Sequence, residues 1–141
     1  MKKSELKKTM IDLVKSYPFS NLVTIGPKGV PKGRMMAHLP LGNDMVFWFA
    51  TSAKSNKVKE ITKKKTASVF VYRPTDHSSV CACGAAEIIK DDRLRKKYWN
   101  ENWKMFWPEG YKDPDYVLIK LVPHRLEYLD YPNHKLEVLE K

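Results

Sequence analysis

The stretch Gly33–Lys57 reads GRMMAHLPLGNDMVFWFATSAKSNK. It predicts one strand over about residues 32–39 and a second, continuously apolar strand over 45–50. The turn Leu41-Gly42-Asn43-Asp44 lies between them and predicts a hairpin. Helical periodicity resumes over about residues 54–64. The stretch therefore predicts two strands that lead into a helix.

Polar and cationic side chains collect where the second strand meets this helix. A phosphate monoester is held by a guanidinium fork, an ammonium group, and hydroxyl or backbone N–H donors at a helix N-terminus. Arg34, Lys57 and the hydroxyls of Thr51, Ser52 and Ser55 supply these groups. If the two strands form a hairpin, Arg34 lies within two residue pairs of Thr51. The same residue types also occur at strand starts and helix caps that bind nothing, so spacing alone leaves both interpretations open.

The remaining chain predicts more strands and two more helices. In order, these are a helix over 4–17 with Ser4 as its N-cap, strands over 21–26, 66–72 and 79–89, a helix from 91 to about 106, and a strand over 116–122 that continues over 125–130. Gly84 predicts a bulge or close backbone approach. Antiparallel strands in succession predict a mainly β fold with helices (α+β), as a meander or barrel. We expect one domain over 1–141, with an N-terminal helix in 1–18 and a peripheral tail over 131–141.

Composition narrows the class of protein. No apolar run approaches the roughly 20 residues that span a bilayer, so a cytoplasmic protein with no membrane partner is expected. The net charge is +10, but the lysines are scattered and no nucleic-acid motif accompanies them. Specific nucleic-acid binding is therefore not expected.

Cys81 and Cys83 are predicted to be buried, inert thiols on one face of a strand, and no ligand set for a metal is present. His38 is predicted to face solvent from an edge strand.

Six segments, in this order, resemble one known family. They are GRMMAHLP, VFWFATSAKSNKVKEI, ASVFVY, GAAEII followed by DD, FWPEG, and VLIKLVPHRLEYLD, which together span about residues 21–130. They resemble the FMN-binding split barrel of the pyridoxamine 5′-phosphate oxidase-like family, in its general stress protein branch. The resemblance implies a split β-barrel of six or so antiparallel strands with a Greek-key-like order. It also implies FMN bound at a homodimer interface.

The resemblance carries roles onto matched positions. Arg34 and Lys57 resemble the residues that bind the FMN phosphate, and Thr51 and Ser55 the hydroxyl donors beside them. The resemblance also implies that backbone groups line the isoalloxazine at Met35, Met36, Ala37, Phe49 and Ala50. Asn56 stands where the oxidases often have a second phosphate-binding Arg. Ser79 matches a residue that reaches in from the partner subunit, and Trp107 resembles an aromatic residue that covers the flavin from the partner.

Departures from the family pattern limit the expected activity. Asn56 would weaken the phosphate clamp, and Leu129 stands where the branch commonly has a Trp. The substrate-recognising C-terminal segment of the true oxidases is absent, so pyridoxine-phosphate oxidation is not expected. The resemblance implies a small oxidoreductase that passes reducing equivalents from NAD(P)H to an unidentified acceptor. The alternatives are a non-catalytic flavin-binding, storage or stress-response module, or the same barrel with haem or a deazaflavin.

Overall fold

The computed structural model describes residues 1–141 and begins with an amphipathic helix, α1 (Lys3–Ser16). Its inward face is apolar and buried, through Leu6, Met10, Ile11, Leu13 and Val14. The N-cap is Lys2, not Ser4, and no side chain caps the helix. The helix ends before Pro18, because proline cannot donate to a preceding turn and clashes with it.

Seven antiparallel strands form one sheet. They are β1 (Phe19–Ile25), β2 (Pro31–Ala37), β3 (Phe47–Ser52), β4 (Thr66–Tyr72), β5 (Ser79–Ile89), β6 (Tyr116–Asp130) and β7 (Lys135–Glu140). The order is β2-β1-β4-β5-β6-β3, and β7 also pairs with β6. Strand β3 pairs with residues 116–121 of β6, and β7 with residues 125–130. The prediction of a mainly β, antiparallel split barrel is confirmed.

The predicted hairpin between β2 and β3 is wrong. Strand β2 pairs along its whole length with β1, and β3 pairs along its whole length with β6. These two strands are therefore the opposite ends of the sheet, although they are consecutive in sequence. The connection 38–46 carries the chain from one end to the other, and Leu39 N donates to Trp48 O at 2.9 Å. The sheet thus curls until its two edges face each other across a split, without a ladder between them.

One close approach fixes the register of β5 against β6. The pairing shifts between Cys83 and Gly84, where Gly84 lies opposite Pro123. A Cβ on Gly84 would collide with Val122 O and stand 2.7 Å from Pro123 Cα. Only glycine fits there, so the predicted close approach is confirmed. It lets β6 continue through its proline without a break.

The other two α-helices are short, α2 (Asn56–Lys63) after β3 and α3 (Asp92–Lys97) after β5. The helix predicted to reach about residue 106 ends early, because Asn100 caps a separate 3₁₀ turn over Glu101–Met105 and accepts a hydrogen bond from Asn102 N. The predicted peripheral tail is also wrong, since residues 135–140 form β7 and Leu139 is buried in the core. None of the helices combines the length and apolarity needed to cross a bilayer.

Candidate functional site

A groove of about 650 Å³ lies along the split between β2 and β3. Its lining comes from the end of each strand and from the segment after α3: Met35, Met36, Ala37, Ala50, Thr51, Ser52, Met105, Phe106, Trp107 and Asp115. Because β2 and β3 each pair on one side only, their other edges present unpaired main-chain N–H and C=O groups. The groove therefore combines an apolar lining with main-chain hydrogen-bonding groups on two sides.

An aromatic wall closes one side of the groove. Trp107 is buried, and its Nε1 donates to Asp115 Oδ2 at 3.2 Å. Asp115 also accepts the Ser52 hydroxyl at 2.7 Å, and this bond, the largest cause, lowers the pKa of Asp115. Rings of Trp103 and Tyr116 pack against Trp107 from behind. The wall is thus fixed to β3 through an ionised carboxylate.

The N-terminus of α2 offers unused donors near Arg34. Its N-cap, Ser55, donates its hydroxyl to Ser52 O at 2.8 Å instead of capping the helix. The first helical hydrogen bond runs from Lys59 N to Ser55 O, which leaves the amides of Asn56, Lys57 and Val58 without a helical acceptor. Such a cluster of N–H groups at the positive end of a helix favours an anion.

Arg34 is held on one side only. Its Nη1 donates to Leu22 O at 3.0 Å and to Thr24 Oγ1 at 2.8 Å, and its Nη2 donates to Glu60 Oε1 at 3.1 Å. A guanidinium has five N–H groups, so the Nε–H and one Nη2–H have no acceptor in the protein. The side chain is 23% exposed. Arg34 can therefore keep its protein contacts and still bind a ligand.

Lys57 adds a second positive charge beside Arg34. It is half-buried and makes no ion pair, and burial followed by the charge of Arg34 lowers its pKa. Arg34 and Lys57 are both positively charged, and no carboxylate forms an ion pair with Lys57. Their repulsion is unfavourable at this end of α2 unless an anion is bound there. The geometry suits a phosphate group.

Glu60 is the buried counter-charge behind Arg34, and it was not predicted from the sequence. It accepts hydrogen bonds from Thr24 at 2.7 Å and Lys32 at 2.9 Å as well as from Arg34. The Thr24 and Lys32 bonds are the largest causes that lower its pKa. Its position one turn after Lys57 is visible in the sequence, but its burial depends on the packing of α2 against β1.

The twelve residues predicted for the site fall into three groups. Six line the groove, namely Met35, Met36, Ala37, Ala50, Thr51 and Trp107. Four lie at or near the cationic end: Arg34, Ser55, Asn56 and Lys57. Phe49 and Ser79 do not line the groove, since Phe49 is fully buried in the core and Ser79 pairs with Tyr72 and Leu129 on the far part of the sheet.

Two side chains differ in setting from the prediction. Trp107 lines the groove of its own chain and is only 7% exposed, so it is poorly placed to cover a site on a second copy, whereas Phe106 is 64% exposed. His38 is buried, not solvent-facing, and its ring nitrogens bond Ser20 Oγ at 3.0 Å and Val14 O at 2.9 Å. Burial is the largest cause that lowers the pKa of His38.

Sequence reasoning missed Asp115, Met105 and Phe106. Asp115 closes the run Asp113-Pro114-Asp115 just before β6, and such a turn motif was its only sequence signal. Met105 and Phe106 fit the pattern of a longer helix, which hid their position at the rim of the groove.

Solved structures with this fold cover nearly the whole chain, whereas none of the curated proteins matches it. The structure of General Stress Protein 26 from Bacillus anthracis str. Sterne is 27% identical, with 97% of this chain and 99% of that chain covered and a TM-score of 0.81. A pyridoxamine 5′-phosphate oxidase-related, FMN binding protein from Nostoc punctiforme is 13% identical, with coverage of 98% and 94% and a TM-score of 0.69. A heme binding protein from Mycobacterium smegmatis is 14% identical, with coverage of 95% and 57% and a TM-score of 0.76.

The family model described as "Pyridoxamine 5'-phosphate oxidase like" matches residues 5–141. This match spans the groove, the N-terminus of α2 and all seven strands. The chain belongs to the pyridoxamine 5′-phosphate oxidase-like family.

Proposed function

We propose that the protein binds FMN in the groove between β2 and β3 and passes reducing equivalents from NAD(P)H to a small-molecule acceptor. The observation that carries the proposal is the continuity of two features. An apolar groove with main-chain hydrogen-bonding edges runs between the ends of β2 and β3, and the cationic start of α2 directly follows β3. The family match and the FMN binding protein of the same fold support this ligand.

The residues present fit an FMN-sized ligand. A volume of about 650 Å³ lies within the range usual for small-molecule sites. The spare donors of Arg34, the ammonium of Lys57 and the free amides of α2 suit a phosphate dianion. The side chains of Met35 and Met105 are soft and apolar, which suits one face of an aromatic ring.

Bound FMN would supply hydride and single-electron transfer. The protein's own contribution is to bind, orient and shield. Phe106 and Trp107 would shield one side of a ligand in the groove, and the edges of β2 and β3 would offer it main-chain hydrogen-bonding groups. Asp115 is held ionised by Ser52 and Trp107, so it positions the wall and does not donate a proton. Protons needed for turnover would come from water or substrate.

A second copy of the chain would complete the groove. The rim carries large exposed apolar side chains, with Met35 at 66%, Met105 at 78% and Phe106 at 64% exposure. Phe19, Phe70 and Tyr72 extend this surface around a second cleft that Met35 also lines. Monomeric proteins seldom expose so large an apolar patch. We therefore include homodimerisation in the proposal.

A flavin-binding module without turnover is the second candidate. It is favoured by one specific observation, because no ionisable side chain that lines the groove is free to exchange a proton. Haem is less well supported, since it needs an axial ligand and the nearest histidine in sequence, His38, already uses both ring nitrogens. A deazaflavin with a longer anionic tail would need the cleft along α2, which is lined by Lys32, Lys59, Lys63 and Lys64.

The first test is the absorption spectrum of the purified protein before and after addition of FMN and removal of the excess. We expect flavin bands at about one FMN per chain. The double variant Arg34→Ala/Lys57→Ala should lose this retention, because the phosphate loses its fork and its ammonium group. The matched control is Lys90→Ala/Arg93→Ala, which removes the same charge from exposed, unpaired positions. Equal flavin retention in both double variants would overturn the site, and a Soret band would replace FMN with haem.

Turnover separates the two candidates once binding is established. Steady oxidation of NAD(P)H with a quinone, a nitro compound or oxygen as acceptor would support the oxidoreductase. Stoichiometric FMN without NAD(P)H oxidation across these acceptors would support the binding module.

Sedimentation of the wild type against Met105→Ser/Phe106→Ser tests the dimer, because the variant removes apolar rim contacts and should shift the protein towards monomer.

A further inference from the structure

A buried threonine connects the two charged side chains behind the candidate phosphate site. Thr24 lies on β1 and is fully buried. Its hydroxyl donates to Glu60 Oε1 at 2.7 Å and accepts from Arg34 Nη1 at 2.8 Å. These directions are fixed, because an ionised carboxylate only accepts and a guanidinium only donates. Thr24 therefore gives its single proton to Glu60 and offers a lone pair to Arg34.

The pairing of β1 with β2 explains why these groups meet. Leu22 lies opposite Arg34, and Thr24 lies opposite Lys32. Residues two apart on a strand share a face, so Lys32 and Arg34 both reach towards α2. Glu60 of α2 stands between them, with Oε2 at 2.9 Å from Lys32 Nζ and Oε1 at 3.1 Å from Arg34 Nη2. The strand register thus sets the spacing of the two cations, and the Thr24 hydroxyl holds Oε1 on the Arg34 side.

The contacts of Arg34 leave one edge of its guanidinium free. Thr24 Oγ1 and Glu60 Oε1 lie 2.7 Å apart and accept from Nη1 and Nη2, so they occupy the edge between these two nitrogens. Leu22 O accepts from Nη1 as well, at 3.0 Å, which uses both N–H groups of that nitrogen. The donors that remain, Nε–H and one Nη2–H, form a fork that can bind two oxygens of a phosphate. Thr24 and Glu60 therefore hold the guanidinium by one edge and orient the other.

The charges around this network also match a phosphate. Lys32, Arg34 and Lys57 are three cations, and Glu60 is the one carboxylate that pairs with them, which leaves a net charge of +2. A phosphate monoester carries about −1.5 to −2 near pH 7. Because Lys32 pairs with the second oxygen of Glu60, the carboxylate can orient Arg34 without cancelling the positive charge of the site.

We propose that Thr24 is a positioning residue for the phosphate of a flavin nucleotide and acts through Arg34 and Glu60. This inference rests on the proposed binding of FMN, and it names a source of selectivity within that site. FMN is bound through the edge of Arg34 that Thr24 orients, whereas riboflavin lacks the phosphate and gains nothing from that edge. The preference for FMN over riboflavin therefore depends on a buried hydroxyl that does not touch the ligand.

The test is fluorescence titration of the full-length wild type, Thr24→Val and Thr24→Ser with FMN and with riboflavin. Valine is similar in shape to threonine but removes both hydrogen bonds, so the affinity for FMN should fall about tenfold while that for riboflavin stays unchanged. Serine keeps the hydroxyl and should retain the affinity for FMN within about twofold. The matched control is Thr62→Val, because the Thr62 hydroxyl donates to Val58 O at 2.8 Å and not to the network of Arg34.

An affinity for FMN in Thr24→Val equal to that of the wild type would overturn the proposal. An equal loss of affinity for FMN and riboflavin would also overturn it, because a distorted groove and not a misdirected Arg34 would then be the cause. A Thr24→Ser variant as weak as Thr24→Val would contradict the role of the hydroxyl. Failure of the wild type itself to bind FMN would be a distinct result, since it would contradict the proposed function and with it this inference.

Discussion

Two arginines show how the same side chain serves structure at one place and a ligand at another. Arg95 of α3 donates from Nη1 to Asp113 O at 3.0 Å and to Tyr116 O at 2.9 Å, and the Tyr116 hydroxyl donates back to Arg95 O at 2.9 Å. Its Nη2 bonds the exposed Asp92. Arg34 makes as many bonds within the protein, but its side chain is 23% exposed, against 10% for Arg95.

The difference lies in the donors that are left and in the charges nearby. The Nε of Arg95 is buried without a partner, so no ligand can use it. Arg95 ties α3 to the start of β6 and thereby holds the aromatic wall. Arg34 has accessible donors and a second cation, Lys57, beside it. A buried arginine that faces main-chain carbonyls is structural, whereas one that is half satisfied next to an unpaired lysine indicates an anion site.

The largest effect is expected from Arg95→Met. Methionine fills much of the space but leaves the carbonyls of Asp113 and Tyr116 without a donor, which should lower the free energy of unfolding by about 3 kcal/mol. Urea unfolding measures this loss. Arg93→Met, on the exposed side of the same helix, is the control and should change stability by less than about 0.5 kcal/mol. If the two variants are equally stable, the hydrogen bonds of Arg95 do not stabilise the fold and its structural role is contradicted.

A smaller loss is expected from Glu60→Gln, which removes the charge that holds Arg34. We expect about 2 kcal/mol at neutral pH, because a buried carboxylate that accepts three hydrogen bonds is neutralised. The folded-state pKa of Glu60 lies below its unfolded value, so this stabilisation is present above about pH 4.3 and is lost as the pH falls through the folded pKa.

The measurement is urea unfolding of wild type and Glu60→Gln between pH 7 and pH 3. The two stabilities should converge only at the acid end. The control is Glu87→Gln, at an exposed glutamate without an ion pair. Its free energy of unfolding should equal that of the wild type at every pH, so no gap should close as the pH falls. A gap between wild type and Glu60→Gln that stays constant down to pH 3 would mean that the charge of Glu60 contributes nothing.

The order of elements followed from periodicity and turn residues, but strand pairing did not. The predicted hairpin relied on the turn at 41–44, while the observed partners of β2 and β3 are distant in sequence, and β6 offers a much longer apolar strand. The buried His38 could not be anticipated either, since its partners Ser20 and Val14 belong to other elements. The close approach at Gly84 was predictable because a glycine inside a strand usually marks a bulge or a tight backbone contact.

Residue types at the candidate site were more predictable than their arrangement. Arg34 and Lys57 were predicted as a phosphate pair on chemistry and resemblance, and in the structure Arg34 lies close enough for its charge to help lower the pKa of Lys57, after burial. They meet because β2 and α2 both pack around β1, as the bonds from Thr24 and Arg34 to Glu60 show, and not through a hairpin. Asp115 could not be predicted as a site residue from the sequence, because its partners Ser52 and Trp107 come together only when the sheet curls around the split.

The smallest effect is expected from Lys57→Arg, which tests whether the charge of Lys57 binds the phosphate of FMN. The pKa of Lys57 is lowered below 10.5 by burial and by Arg34, so the affinity of the wild type for FMN should fall as the pH rises through that lowered pKa. Arginine keeps its charge in this range, so the variant should be about fivefold tighter than the wild type at the alkaline end and similar at pH 7.5.

Fluorescence titration of FMN between pH 7.5 and pH 10 measures this difference. Ionisation of the flavin itself is common to both proteins, so only the gap between the two curves reports Lys57. Lys59→Arg, an exposed position on the same helix, should follow the wild-type curve. If Lys57→Arg and wild type lose affinity in parallel, the charge of Lys57 does not bind the phosphate, and Arg34 with the free amides of α2 would have to hold it alone.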